Sequence, residues 1–227
     1  MVKYLMNKHK ISLVIFDMDG LMFDTERIGR EAWQKAGEAL GIEIKPQFLL
    51  EIIGMNVKGA ERVFEKYYGN SLTFYDLRNL RVKYGLDYIE KNGMPVKPGL
   101  FELLDYLDNR GIMKAVATST ERKRAEKYLS MAGITDRFDT IVCGDEVTYG
   151  KPEPDIFIEA AKRTGCKVEE CIVLEDSANG IKAASKAKML PVLIPDIRRP
   201  DEVEKLVYRE LKSLHDVIDL LESSKKN

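Results

Sequence analysis

Seven polar residues are marked out by their types and by their places in the chain: Asp17, Asp19, Thr118, Ser119, Lys151, Glu175 and Asp176. Asp17 and Asp19 end the apolar run Ile11-Ser12-Leu13-Val14-Ile15-Phe16 and are followed at once by Gly20. Two carboxylates one residue apart repel each other and resist desolvation unless a cation joins them. Hard oxygen ligands suit Mg2+, which keeps several waters and is commonly held by one or two carboxylates plus a substrate phosphate. A hydroxyl pair, nearby backbone N–H groups and a lysine would hold the phosphoryl oxygens beside it. The set reads as a Mg2+ site next to a phosphate site. Each member also has a plainer reading. Asp17 and Asp19 could open a polar turn, and Lys151 could be a solvated lysine. Thr118 and Ser119 could cap the helix that starts near Glu121, and Glu175 and Asp176 could be an acidic helix N-terminus.

The elements that carry these residues argue for convergence. The run ending at Phe16 is short, β-branched and does not alternate, so it reads as a strand buried on both faces. Helical patterns then follow from Glu26 to Gly41, from Pro46 to Gly54, from an Asn56 cap to Gly69-Asn70, and from about Thr73 to Asn92. No strand separates these four stretches, which marks them as a helical insertion. After Pro95 the chain alternates: a helix over 100–109, a strand over 113–117, a helix over 121–131 and a short strand over 140–143. Next come a helix ending near Thr164, the strand Cys171 to Leu174, a helix through Ile181 and Ala184, and the strand Leu190 to Ile194. Repeated strand–helix units with right-handed crossovers give a doubly wound parallel α/β sheet with helices on both faces. Thr118-Ser119, Lys151 and Glu175-Asp176 then lie at or beside strand ends on the rim that carries Asp17 and Asp19. The charged stretch from Asp201 to Glu210 reads as a solvated helix face, Trp33 and the tyrosines of the helical block as core, and His9 and His215 as uninvolved.

Composition narrows the function classes. With 36 Lys+Arg against 37 Asp+Glu, the net charge of −1 gives no electrostatic case for nucleic acid. No apolar run approaches the ~20 residues of a membrane span, and the first ten residues lack the apolar core of a secretory signal. Cys143, Cys166 and Cys171 have no zinc-like spacing, so reduced thiols and a cytoplasmic location are expected. The absence of a long apolar seam favours a monomer acting on a small molecule.

In order, the chain carries D-x-D-G at Asp17, a threonine at Thr118 after a second strand, G-K-P-x-P-D around Lys151 and E-D-S-x-x-G from Glu175. In these four motifs it resembles the haloacid dehalogenase superfamily of phosphohydrolases, over nearly its whole length. It looks most like the subgroup of β-phosphoglucomutases and sugar-phosphate phosphatases, and its Asp24-Thr25-Glu26 is similar to pseudouridine and sugar monophosphate phosphatases. The resemblance implies a Rossmann-like core over residues 1–27 and 94–227 with a helical cap over 28–93. It implies that Asp17 attacks phosphorus to form an aspartyl-phosphate, while Asp19 gives and takes the proton. It implies Mg2+ held by Asp17, by Asp19 through its backbone carbonyl, and by Asp176. Glu175 would be a ligand or a holder of metal-bound water. Thr118, Ser119 and Lys151 would bind the phosphoryl group of a small phosphomonoester, a sugar phosphate or nucleoside monophosphate. Mutases of the subgroup carry a histidine on the first cap helix, where this sequence has Ile28-Gly29-Arg30, and an early cap arginine is not evident around Gly54-Met55-Asn56. Hydrolysis is therefore expected ahead of phosphomutase activity, with a non-catalytic binding module as a third reading.

Overall fold

The computed structural model describes residues 10–53, 55–69 and 73–223. Expectations that fall on Met1–His9, Gly54, Asn70 and residues 224–227 lie outside the described residues.

Alternation of side chains across a pleated strand explains why the apolar run at the start of the chain has no polar gaps. In β1 (Leu13–Phe16), Leu13 and Ile15 belong to one hydrophobic cluster, while Val14 and Phe16 belong to another. The same division holds in β4 (Cys171–Glu175), where Cys171 and Val173 face one cluster and Ile172 and Leu174 the other. Both faces of the sheet are therefore core, as expected of a parallel sheet covered by helices. The remaining strands are β2 (Met113–Thr118), β3 (Thr140–Cys143), β5 (Leu190–Leu193) and β6 (Arg209–Glu210). They form one parallel sheet in the order β3-β2-β1-β4-β5-β6. The chain builds outward from β1 in one direction and then, from β4, in the other. The reversal leaves a crevice at the carboxyl ends of β1, β2 and β4, where ligands of such sheets bind.

One face of the sheet is covered by α7 (Asp155–Thr164) and α8 (Ala178–Lys186). The other is covered by α5 (Leu100–Arg110), α6 (Arg122–Met131) and α9 (His215–Ser223). Between β1 and α5 stand α1 (Thr25–Leu40), α2 (Pro46–Glu51), α3 (Val57–Tyr68) and α4 (Phe74–Asn92), with no strand among them. They share an aromatic cluster of their own, in which Trp33 packs on Phe48 and Phe74, and Phe64 stacks on Tyr68. Asn56 caps α3 by accepting from the Gly59 N–H at 2.9 Å, the role its position implied.

The chain enters and leaves this helical block through two segments that pair with each other. Asp24 N–H donates to Pro95 O at 2.8 Å, and Lys97 N–H donates to Met22 O at 2.9 Å. Lys97 Nζ is also held by Asp196, with Asp24 at 3.6 Å. These paired linkers flank α1 and α4, so a division at residue 28 falls within the first turn of α1.

One reading of the sequence is corrected. The stretch from Asp201 to Glu210 is not a helix face: residues 201–203 form a single 3-10 turn, and Arg209–Glu210 add a sixth strand beside β5. Both residues of that strand are exposed, so it lacks the apolar alternation that marks a strand in sequence. No helix among the described residues is long and apolar enough to cross a membrane. The three cysteines are free, with Cys143 and Cys171 buried.

Candidate active site

The carboxyl ends of β1, β2 and β4 lie side by side and meet over one side chain. Lys151 comes from the loop between β3 and α7, yet its side chain is only 1% exposed. Its Nζ donates to Asp17 Oδ1, to Glu175 Oε1 at 2.6 Å and to Ala117 O at 3.1 Å, touching the ends of all three strands. All three ammonium hydrogens are used, so the lysine is fixed rather than snorkelling to solvent. The second oxygen of Glu175 accepts from Ser177 N–H at 3.0 Å and from Ser177 Oγ at 2.9 Å. Ser177 Oγ in turn accepts from the Gly180 N–H, capping α8. A β-carbon at Gly180 would overlap the Glu175 carboxylate, so this corner closes only with glycine.

Asp176 completes the cluster. One carboxylate oxygen each from Asp17, Glu175 and Asp176 lies within 4.8 Å of the others, and all three residues are buried. Three carboxylates against one ammonium leave a net charge of −2 in a desolvated pocket. Burial, followed by the charges of Glu175 and Asp17, pushes Asp176 well above the ordinary carboxylate range. Burial also pushes Asp17 up; Lys151 opposes this, and Glu175 and Asp19 add to it. Burial disfavours the Lys151 ammonium, but Asp17 and Glu175 outweigh it and raise Lys151. The pair does not cancel, because one ammonium faces several carboxylates. A divalent cation fits this deficit in charge and in ligand type. Room for it is kept by Gly20, whose φ of +88° is open to glycine and whose β-carbon would overlap the Asp176 carboxylate. Glu175 spends both oxygens on protein donors, so Asp17 and Asp176 are the cluster members better placed to bind a cation.

Asp19 stands apart from Lys151. Its two oxygens accept from Thr25 Oγ1 at 2.6 Å and from Thr120 Oγ1 at 2.7 Å. Thr120 N–H donates to Thr118 Oγ1 at 3.1 Å, tying the β2 terminus to the same network. Thr120 was not singled out from the sequence, and Thr25 only as part of the Asp24-Thr25-Glu26 resemblance. Their signal was faint: Thr25 opens a helix and Thr120 precedes one, positions where threonine is common.

Asp17, Asp19, Thr118 and Ser119 line one end of a cavity of about 120 Å³. The other walls come from the helical block, including Glu26, Arg30, Trp33, Met55, Arg78 and Arg81, and from Arg124 of α6. Trp33 thus belongs to the aromatic cluster and also presents an edge to the cavity. Burial and the nearby Asp19 charge push the Glu26 carboxyl up to about 7. The block rests on the core through an Arg78–Glu121 ion pair at 2.9 Å, a Lys127–Glu90 pair at 2.6 Å and the Asn179 side-chain N–H to Ile53 O at 3.4 Å. At Gly29 a β-carbon would lie 2.5 Å from Arg81 Nη2. The Arg81 guanidinium occupies that place.

Comparison with known proteins agrees with this architecture. A sequence model described as haloacid dehalogenase-like hydrolase matches residues 14–194. The chain is 31% identical over 213 residues to a probable pseudouridine-5'-phosphatase of Drosophila melanogaster, covering 91% of each chain. It is 32% identical over 177 residues to a phosphorylated carbohydrates phosphatase of Thermotoga maritima, covering 77% of this chain and 80% of that protein. Among solved structures, CbbY from Rhodobacter sphaeroides in complex with phosphate superposes with a TM-score of 0.80 at 25% identity, covering 91% of this chain and 96% of the other.

Proposed function

The chain belongs to the haloacid dehalogenase-like hydrolase family, and from that premise we propose that it hydrolyses a small phosphomonoester by way of a phosphorylated Asp17. The observation that carries this reading is the separation of two carboxylates on one loop. Asp17 is held by Lys151 at the cation cluster, while Asp19 is held by two hydroxyls at the cavity mouth. One environment suits a nucleophile and the other a proton carrier.

In the first step, an Asp17 carboxylate oxygen forms a bond to phosphorus and the ester P–O bond breaks. The departing oxygen takes the proton of the Asp19 carboxyl, which Thr25 and Thr120 hold towards the cavity. In the second step, water attacks phosphorus on the acyl phosphate and Asp19 takes its proton. The P–O bond to Asp17 breaks, freeing phosphate and restoring the Asp17 carboxylate and the Asp19 carboxyl. Lys151, fixed across three strand ends, neutralises charge on the nucleophile and on the transferring group. Thr118 and Ser119 bound the cavity on the phosphoryl side. A divalent cation, Mg2+ by ligand type, held by the Asp17 and Asp176 carboxylates and the Asp19 backbone carbonyl, would supply the remaining positive charge.

The helical block, residues 28–93 as divided from the sequence, acts as a cap that excludes water and contacts the leaving group. Related phosphatases named for pseudouridine 5'-phosphate and for phosphorylated carbohydrates support a substrate of sugar-phosphate or nucleoside-monophosphate size. A phosphomutase needs an acid–base group that returns the phosphoryl group to substrate. The stretch Ile28-Gly29-Arg30, where the resemblance implies a histidine in the mutases, has none, and Arg81 lies against Gly29, which favours hydrolysis.

The test is phosphate release across a panel of sugar and nucleoside monophosphates, with and without Mg2+, for the wild type and Asp17→Asn. Metal-dependent release in the wild type, lost in Asp17→Asn, is expected. Release that survives the substitution, or silence across the panel, would refute the proposal.

A further inference from the structure

Four guanidinium groups line the cavity: Arg30 from α1, Arg78 and Arg81 from α4, and Arg124 from α6. Their counter-charges are few. Arg78 pairs with Glu121 at 2.9 Å. Arg124 donates to the neutral hydroxyl of Thr120 at 3.1 Å. Arg30 and Arg81 have neither a hydrogen bond nor an ion pair among the described residues, and Arg81 Nε is buried without a hydrogen-bond partner. Arg81 and Arg124 line the same cavity from α4 and α6; burial and then the Arg124 charge depress Arg81, against the pull of Glu26 and Asp19. Burial and then the Asp19 charge push the Glu26 carboxyl up to about 7, which weakens it as a counter-charge for these groups.

Like charges brought together out of water are unfavourable unless an anion joins them. Folding nevertheless makes room for them. Gly29 lies inside α1, where glycine costs about 1 kcal/mol against alanine. Its missing side chain is what lets the Arg81 guanidinium lie across the helix into the cavity. Two guanidiniums lining one cavity match an oxyanion, which each can bind with a planar pair of N–H donors. The phosphoryl group that reacts at Asp17 already has its own partners in Lys151, Thr118 and Ser119.

We infer that the leaving group of the substrate carries a second anionic group, a carboxylate or a second phosphate, bound between Arg81 and Arg124. This rests on the phosphatase reading and deepens it. Arg81 sets specificity, with Gly29 as the residue that admits it. A substrate with a neutral leaving group brings no anion to the two guanidiniums.

The experiment compares kcat/KM for matched pairs of phosphomonoesters. Glycerol 3-phosphate is set against 3-phosphoglycerate, and fructose 6-phosphate against fructose 1,6-bisphosphate, within a broader panel of neutral monophosphates. The wild type should prefer the anionic member of at least one pair by about tenfold or more, mainly through KM. Which pair shows the preference distinguishes a carboxylate from a phosphate. The preference should fall at least about tenfold in Arg81→Gln and in Arg124→Gln, with partial retention in Arg81→Lys. If a variant fails to fold, the wild-type comparison decides the matter, supported by competitive inhibition that should be stronger with glycerate than with glycerol. Turnover of neutral monophosphates with no preference for an anionic partner would overturn this inference and leave the phosphatase reading standing. So would a preference that survives both glutamine substitutions. Silence across the whole panel would overturn both.

Discussion

Replacing Lys151 by methionine removes the ammonium buried among Asp17, Glu175 and Ala117 O and leaves their oxygens without their donor. Both acidic partners are at least nine-tenths buried, so neither charge escapes to water. Deleting one member of a buried ion pair costs about 3–5 kcal/mol, because the remaining charge is uncompensated. In a chain of this size each kcal/mol moves Tm by roughly 2–4 °C, so the expected fall is about 6–20 °C. The loss also depends on pH. Asp17 is raised in the intact protein by burial, against the pull of Lys151, and without that pull it holds its proton to higher pH still. The folded state then binds more protons than the unfolded chain, whose carboxylates titrate near 4. Stability therefore declines as pH rises from about 4 through the raised folded value. Thermal unfolding followed by circular dichroism at pH 5 and pH 8 should show the larger deficit at pH 8. The double variant Lys151→Met/Glu175→Gln should recover part of it. An equal fall at both pH values, or a fall below about 2 °C at pH 8, would refute the claim that Lys151 compensates the cluster.

With the proposed cation at the same cluster, stability should depend on metal. Mg2+ at a hundred times its Kd should add about 2.7 kcal/mol, or roughly 5–11 °C in Tm. Asp176→Asn should lose most of that shift, and a wild type indifferent to Mg2+ in calorimetry would remove the cation from the reading. Thr120→Val, which takes one of two hydroxyl donors from Asp19, should lower kcat about tenfold and displace the pH–rate profile. Thr120→Ser should restore both; an unchanged pH profile in the valine variant would assign Thr120 a purely structural role. Burial pushes the Cys143 and Cys171 thiols up to about 12, so iodoacetamide at pH 8 should label half-buried Cys166 first. Prompt labelling of Cys143, read by mass spectrometry, would contradict its position in the sheet.

What was legible in the sequence was set by local chemistry. The strand at Asp17 could be read because a central strand of a parallel sheet must be apolar on both faces, and its polar end must therefore face a crevice. The helical block could be read because α1 and α3 end at glycines and Asn56 is a capping residue. β6 was illegible because a two-residue exposed edge strand buries nothing and is specified by its neighbour β5. The cavity arginines were illegible for a different reason. Arg30, Arg81 and Arg124 lie on three helices, and along each helix they look like any solvated arginine. Only packing of α4 against α1, past Gly29, brings two of them into one space. Thr25 and Thr120 likewise became informative only when both were found on the Asp19 carboxylate.

The place of β1 in the sheet has a consequence for how the chain reaches its fold. β1 is synthesised first, but its neighbours begin at Met113 and Cys171. At a ribosomal rate of about 5–20 residues per second, its edges stay unpaired for roughly 5–20 s before β2 emerges. During that time the helices over 25–92 are available, with their own aromatic cluster and two neighbouring ends. Nascent chains arrested with residues 1–110 outside the ribosome should resist protease across the helical block while β1 remains open to cleavage, and uniform sensitivity would count against independent condensation of the block. An apolar strand left waiting in this way is an aggregation hazard. The position that places Asp17 at the centre of the finished sheet is also the one that leaves the strand longest in need of protection during synthesis.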